Sequence, residues 1–255
     1  MIDLKIGLRA GHSDNCTGAI GIVDEHEQMK KYYQSVKAVF EKYGHTVIDC
    51  NSNGGNANAE LSEGANKANS ANCDLFISLH MNCFNGSAHG TEVLVSSENS
   101  SAYPYAQKLV SNFAELGFAN RGVKFERLYE MNHVNCGNII SEICFCDSQE
   151  DMAIYNQCSW EKLAHVLCNA IDSNIPKDVD SNVTTEEKVY VVTDYLPKDK
   201  DGYLDINYVL GYFNGIKCYF KSDEKGIWIV TGWITNSQAE QLKTTLGSWY
   251  YDTRK

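Results

Sequence analysis

The sequence predicts an α/β domain with helices packed on a central sheet over residues 1–175, then a small α+β domain over residues 188–255. Three observations predict it. Strand and helix patterns alternate through the first 175 residues. A polar stretch, "NIPKDVDSNVTTEE", follows, and a linker is expected over 176–187. Beyond it the aromatic content jumps: residues 188–255 hold 13 of the 28 aromatics and three of the four tryptophans.

The elements follow in order. "LKIGLRA" (4–10) reads as a strand. "EHEQMKKYYQSVKAVFEKYG" reads as a helix, with Met29, Val36, Phe40 and Tyr43 near helical spacing and Gly44 as its stop. "HTVIDC" is a strand and "NAELSEGANKANSAN" a polar helix. "CDLFISLHMN" is a continuous apolar run, which suits a strand covered on both faces. "GTEVLVSS" is a strand, "PYAQKLVSNFAELG" a helix, "NIISEICFCD" a strand and "SWEKLAHVLCNAIDSNI" a helix. Past the linker, "VYVVTDYL", "INYVLGYFNG", "IKCYFKSD", "GIWIVTGWI", "SQAEQLKTTLG" and "SWYYDTR" give the order β-α-β-β-α-β.

Bulk properties narrow the function. A chain of 255 residues, 43% apolar, is enough for one sizeable core, or for one medium domain plus a small one. The formal charge of −11 argues against a nucleic-acid partner. That acidity lies almost wholly in the first 187 residues, because residues 188–255 carry nine Lys/Arg against eight Asp/Glu. No apolar run approaches the ~20 residues of a membrane span. "MIDLKIGLRAGHSD" lacks a charged segment followed by a long apolar one, so synthesis in the cytoplasm without a signal peptide is expected. The ten cysteines are then expected to be reduced, small core residues.

Ligands in α/β proteins gather at the carboxyl ends of strands. Four polar residues fall there. His12 follows the first strand in "RAGHS", and His80 ends the third in "SLH". Glu25 stands where the loop after His12 enters its helix, and Glu142 lies inside the apolar strand "NIISEICF". Two histidines and a carboxylate make a zinc shell with one position open to water. A further carboxylate is then needed to take and return a proton, and Glu142 is the candidate. Bland readings compete. His12 suits a turn, His80 a satisfied core histidine and Glu25 an exposed first helical turn favoured by the dipole. Glu27 is a rival ligand, and Glu142 has a rival role as an ion-pair partner of Arg127.

"GHSDNCTGAIGIVDE", "SLHMN" with "GTEVLV" after it, and "IISEICFCDSQED" resemble the motifs of the zinc-dependent N-acetylmuramoyl-L-alanine amidases of the type-3 family, those of clostridial phage endolysins in particular. The resemblance runs from residue 4 to about 173. It implies a twisted central sheet flanked by helices, zinc ligation by His12, Glu25 and His80, and acid/base catalysis by Glu142. It implies hydrolysis of the amide between N-acetylmuramic acid and L-alanine in peptidoglycan, after release to the wall through a holin. Asn82, Arg127 and Tyr129 are candidate substrate contacts. The family often has an acid and a proline before Gly-His and a glycine after it. Here the stretch is Leu8-Arg9-Ala10-Gly11-His12-Ser13.

Two other functions fit parts of the pattern: a zinc endopeptidase or carboxypeptidase of wall peptides, and a non-catalytic peptidoglycan-binding protein. For residues 188–255 the expectation is a cell-wall-binding domain that takes wall carbohydrate on its aromatic side chains. Its element order resembles the peptidoglycan-binding sporulation-related repeat domains. The same aromatics also suit the core that a domain of this size needs.

Overall fold

The computed structural model describes residues 3–178, 188–196, 202–213 and 216–255, except for the side chain of Ser237. These separate into two compact units, Met1–Val179 and Asp180–Lys255. Most of the expected linker lies outside the described residues. Its first residues are held by the first unit: His165 Nδ1 meets the Pro176 carbonyl at 2.8 Å, and Lys162 pairs with Asp178.

The first unit runs β1 (Lys5–Arg9), α1 (Glu25–Lys42), β2 (Thr46–Asp49), α2 (Ala57–Ala71), β3 (Leu75–Asn82), β4 (Thr91–Val95), α3 (Tyr103–Ala114), β5 (Asn120–Phe125), α4 (Tyr129–His133), β6 (Gly137–Phe145), α5 (Gln149–Tyr155) and α6 (Trp160–Ile171). The strands form one mixed sheet in the order β2-β1-β3-β6-β4-β5. All neighbours are parallel except β4 and β6, which run antiparallel. Every element expected from the sequence is present within a few residues. β5, α4 and α5 are additions.

Strand alternation divides the sheet into two faces. Leu75, Ile77, Leu79 and Met81 of β3 join Ile6 and Leu8 of β1, Ile139 and Ile143 of β6, and the apolar faces of α1, α3 and α6. Phe76 points the other way, onto Ala65 and Ala68 of α2 and Val134 after α4. Arg9, His80 and Glu142 share the Phe76 parity, so the α2 side becomes polar toward the carboxyl ends of the strands.

Local chemistry fixes the helix that carries Glu25. The Asp24 side chain accepts the Glu27 amide at 3.1 Å and caps α1. Gly44, at φ +86°, turns the chain out of its far end.

The second unit runs β7 (Tyr190–Thr193), α7 (Ile206–Leu210), β8 (Cys218–Ser222), β9 (Ile227–Thr231), α8 (Asn236–Leu246) and β10 (Tyr250–Arg254). This is the β-α-β-β-α-β order read from the sequence. The sheet is antiparallel throughout, in the order β10-β7-β9-β8. Val191, Ile229, Val209, Phe213, Leu242 and Leu246 form its core.

The cysteine expectation needs correction. Cys50, Cys73, Cys144, Cys146 and Cys168 are buried, but Cys83 is exposed and the other four are half-buried. Cys83 follows the end of β3, where the chain leaves the core for a surface turn.

Candidate active site

His12, Glu25 and His80 meet at the carboxyl ends of β1 and β3. One ligand atom from each lies within 4.8 Å of the others. Glu25 Oε1 is the hub, 3.2 Å from His12 Nε2 and 3.0 Å from His80 Nδ1. Tetrahedral zinc with bonds of ~2.1 Å sets neighbouring ligand atoms ~3.4 Å apart, so both separations suit it.

The backbone holds these groups in place. Glu25 Oε1 also accepts the Met81 amide at 3.0 Å, and Oε2 accepts the Ala19 amide at 2.9 Å. His80 Nε2 meets Ser78 Oγ at 3.1 Å, two residues back on the same strand face. A polar partner on the second ring nitrogen is what fixes a metal-binding histidine. Two glycines leave room for the cluster. A Cβ on Gly18 would lie 2.5 Å from the His12 ring and 2.6 Å from Glu25 Oε2. A Cβ on Gly11 would lie 2.3 Å from the Leu79 carbonyl, and its φ of +76° already favours glycine.

Glu142 of β6 stands beside His80, its register partner on β3. Its Oε2 is buried and has no hydrogen-bond partner. Burial pushes its carboxyl up to about 7; His80 pulls it down, while Glu25 and Glu92 push it further up. Burial also pushes Glu25 up, but the hydrogen bonds from His12 and His80 outweigh it and hold Glu25 well below the usual carboxylate range. A donor set of two imidazoles and an ionised carboxylate, with a partnerless carboxyl at its side, fits a zinc ion and a water.

The remaining sequence candidates are placed differently. Glu27 is exposed, 3.4 Å from Lys30, and outside the cluster. The rival ion pair between Glu142 and Arg127 does not form: Arg127 is exposed on the loop after β5, and Glu142 Oε2 has no partner. Asn82 donates to Glu92 Oε1 at 2.8 Å. Tyr129 stacks on His133, with ring centroids 3.9 Å apart.

Sequence reading missed several residues here. Arg9, Glu60 and Glu130 form a buried ionic cluster under the His12 loop. Glu92 sits opposite Glu142 on β4 and receives Arg121 Nε at 2.8 Å. An arginine inside the apolar stretch "LKIGLRA" was the available signal for the first group. A crevice of about 280 Å³ opens beside His12, lined by Asp14, His26, Lys30, Asn51 and Asn53 among others.

The family model for N-acetylmuramoyl-L-alanine amidase, Amidase_3, matches residues 6–173. The chain belongs to this family. Among solved structures, the catalytic domain of the CD27L endolysin targeting Clostridia Difficile is 30% identical, with a TM-score of 0.63. That match covers 68% of this chain and 98% of that one. The catalytic domain of an amidase from Bacillus (Paenibacillus) polymyxa, at 18% identity and a TM-score of 0.58, shares the fold. An uncharacterized protein of Clostridium perfringens is 31% identical over 72% of this amidase-family chain. The match spans 55% of that relative, so the chain covers about half the length of such relatives. The endolysin of Bacillus phage SPP1 is 24% identical over 94% of this chain and 93% of its own. Among the described residues, no helix is long and apolar enough to cross a membrane.

Proposed function

We propose that the chain is a peptidoglycan hydrolase that cleaves the amide between N-acetylmuramic acid and L-alanine, with one zinc held by His12, Glu25 and His80. The observation that carries this reading is the meeting of those three donors beside the partnerless Glu142 carboxyl. Family membership supplies the bond that is cut.

When bound, zinc supplies a Lewis acid that polarises the amide carbonyl and brings the pKa of a water to ~7. Glu142 takes the proton of the attacking water and returns it to the leaving L-alanine nitrogen. Burial raises its affinity for protons and the charge of a bound metal would lower it, so the two influences oppose each other at this carboxyl. His80 lies next to it, so the proton acceptor and the metal ligands act on one substrate carbonyl. Asn82, Arg127 and Tyr129 are proposed to meet the substrate, Arg127 through its exposed side chain.

Residues 188–255 are proposed to bind wall carbohydrate. Trp233 and Tyr251 are each 61% exposed, which offers aromatic surface to sugar rings, although Trp233 also meets Tyr190 edge to face. The alignment with the phage SPP1 endolysin runs through both units and favours an endolysin over a free-standing catalytic domain. Digestion of purified peptidoglycan tests the central step. New amino-terminal L-alanine is expected, and it should disappear on chelation and return with zinc.

A further inference from the structure

Arg9, Glu60 and Ser13 bracket the metal-ligand loop from below. The Arg9 guanidinium is 1% exposed. It donates to the Gly11 carbonyl and to Glu60 Oε1, and to Glu130 Oε1 at 2.8 Å. The other oxygen of Glu60 receives Ser13 Oγ at 2.7 Å. The residues on both sides of His12 are thus tied to one buried ion pair. Glu60 comes from α2 and Arg9 from the end of β1, so two rigid elements set the loop.

We propose that the Arg9–Glu60 pair is a positioning device for the metal ligand His12, with Ser13 as its link to the loop. This rests on the zinc reading above. Three observations carry it. First, buried ion pairs add little net stability because each charge loses its water, so this one is better explained by what it orients. Second, apart from the Arg9–Glu130 bond, the side-chain bonds of the pair go to the loop. The Gly11 carbonyl accepts from Arg9, Ser13 Oγ donates to Glu60, and the Ala10 amide is held separately by Asn51 Oδ1 at 2.8 Å. Third, the loop has little slack of its own. It runs against the Leu79 carbonyl and the His80 ring so closely that no side chain fits at Gly11. A small shift there moves His12 relative to His80 and so changes the separation of the donor atoms that a zinc ion would have to bridge.

Glu130 provides the internal control. It is as buried as Glu60 and bonds the same guanidinium, but its side chain makes no bond to residues 10–13. The experiment measures zinc affinity of the full chain by competition with a chelator. Wild type, Ser13→Ala, Glu60→Gln, Glu130→Gln and the Ser13→Ala/Glu60→Gln double variant are compared, each with its thermal midpoint. Outer partners of metal ligands typically set affinity by 10–100-fold. Glu60→Gln should lose zinc affinity on that scale. Ser13→Ala should lose less, and nothing further once Glu60 is already changed. Glu130→Gln should lower the midpoint but keep zinc affinity within about threefold. The cobalt-substituted protein should show an altered absorption spectrum in Glu60→Gln and an unaltered one in Glu130→Gln.

Equal losses of zinc affinity in Glu60→Gln and Glu130→Gln would overturn the proposal, since the cluster would then act only through general stability. Unchanged affinity in folded Glu60→Gln overturns it too. If Glu60→Gln does not fold, Ser13→Ala decides alone: wild-type affinity and spectrum count against the proposal. A wild type that binds no zinc overturns the functional reading itself, and the proposal with it.

Discussion

His80 and Glu142 face each other across the adjacent parallel strands β3 and β6, and Glu92 on β4 extends the row. One sheet face thus sets an imidazole of the candidate metal site beside a carboxyl that burial pushes up to about 7. The first prediction concerns that carboxyl. Glu142→Gln keeps the shape and removes the proton acceptor. Zinc content and thermal midpoint should match or exceed those of wild type, with hydrolysis down by ~10²-fold or more. Assays of zinc and of released L-alanine amino termini on one preparation check this. Near-normal turnover would remove Glu142 from the mechanism.

The same carboxyl predicts a pH-dependent stability. Held near 7 when folded and near 4.5 when unfolded, Glu142 keeps its proton longer in the folded state. Above pH 7 both states are ionised, and the buried charge opposes folding by roughly 3 kcal/mol. Below pH ~4.5 both states are protonated and the penalty is gone. In chelator-treated protein, Glu142→Gln should therefore raise the thermal midpoint at pH 8, with the gain fading toward pH 4.5. A gain of equal size at both values contradicts the assignment.

Zinc content should follow the cluster. His12→Ala, Glu25→Ala and His80→Ala should each lose the metal, whereas Glu27→Ala should keep it, because Glu27 points to Lys30. Full retention in His80→Ala sinks the ligand set.

Gly18→Ala is predicted to act on the site without touching its chemistry. The added methyl would meet the His12 ring at 2.5 Å, at a backbone φ of +73°. Zinc affinity should fall at least ~10-fold, the scale of a displaced ligand. Wild-type affinity would mean that the loop relaxes freely.

The candidate site was legible in part from local pattern. His12 and His80 end apolar strands and Glu25 opens a helix, so the strand-end rule made them candidates at the carboxyl edge of the sheet, and the family resemblance chose Glu25 over Glu27. The Arg9 cluster was not legible in that way. Glu60 and Glu130 lie 51 and 121 residues from Arg9, and no periodicity reports such a pairing. β5 was missed because Asn120–Phe125 is an edge strand, exposed at both ends, without apolar alternation. α4 and α5, at five and seven residues, are too short to show a helical period. In the second unit the order of elements was readable from aromatic and β-branched runs. The strand order β10-β7-β9-β8 is a long-range property and was not.

The two units should separate in function. A chain ending at residue 179 should cleave purified peptidoglycan, and residues 180–255 should co-sediment with susceptible walls. A folded second unit that stays in the supernatant contradicts the wall-binding role.

Mass spectrometry of peptidoglycan digested by the zinc-loaded protein tests the central claim most directly. Cleavage at the lactyl amide yields intact stem peptides that begin with L-alanine, and glycan strands that carry free lactyl carboxylates. That pair of products is the predicted result. Amino termini from inside the stem peptide, with L-alanine still bound to N-acetylmuramic acid, would contradict it.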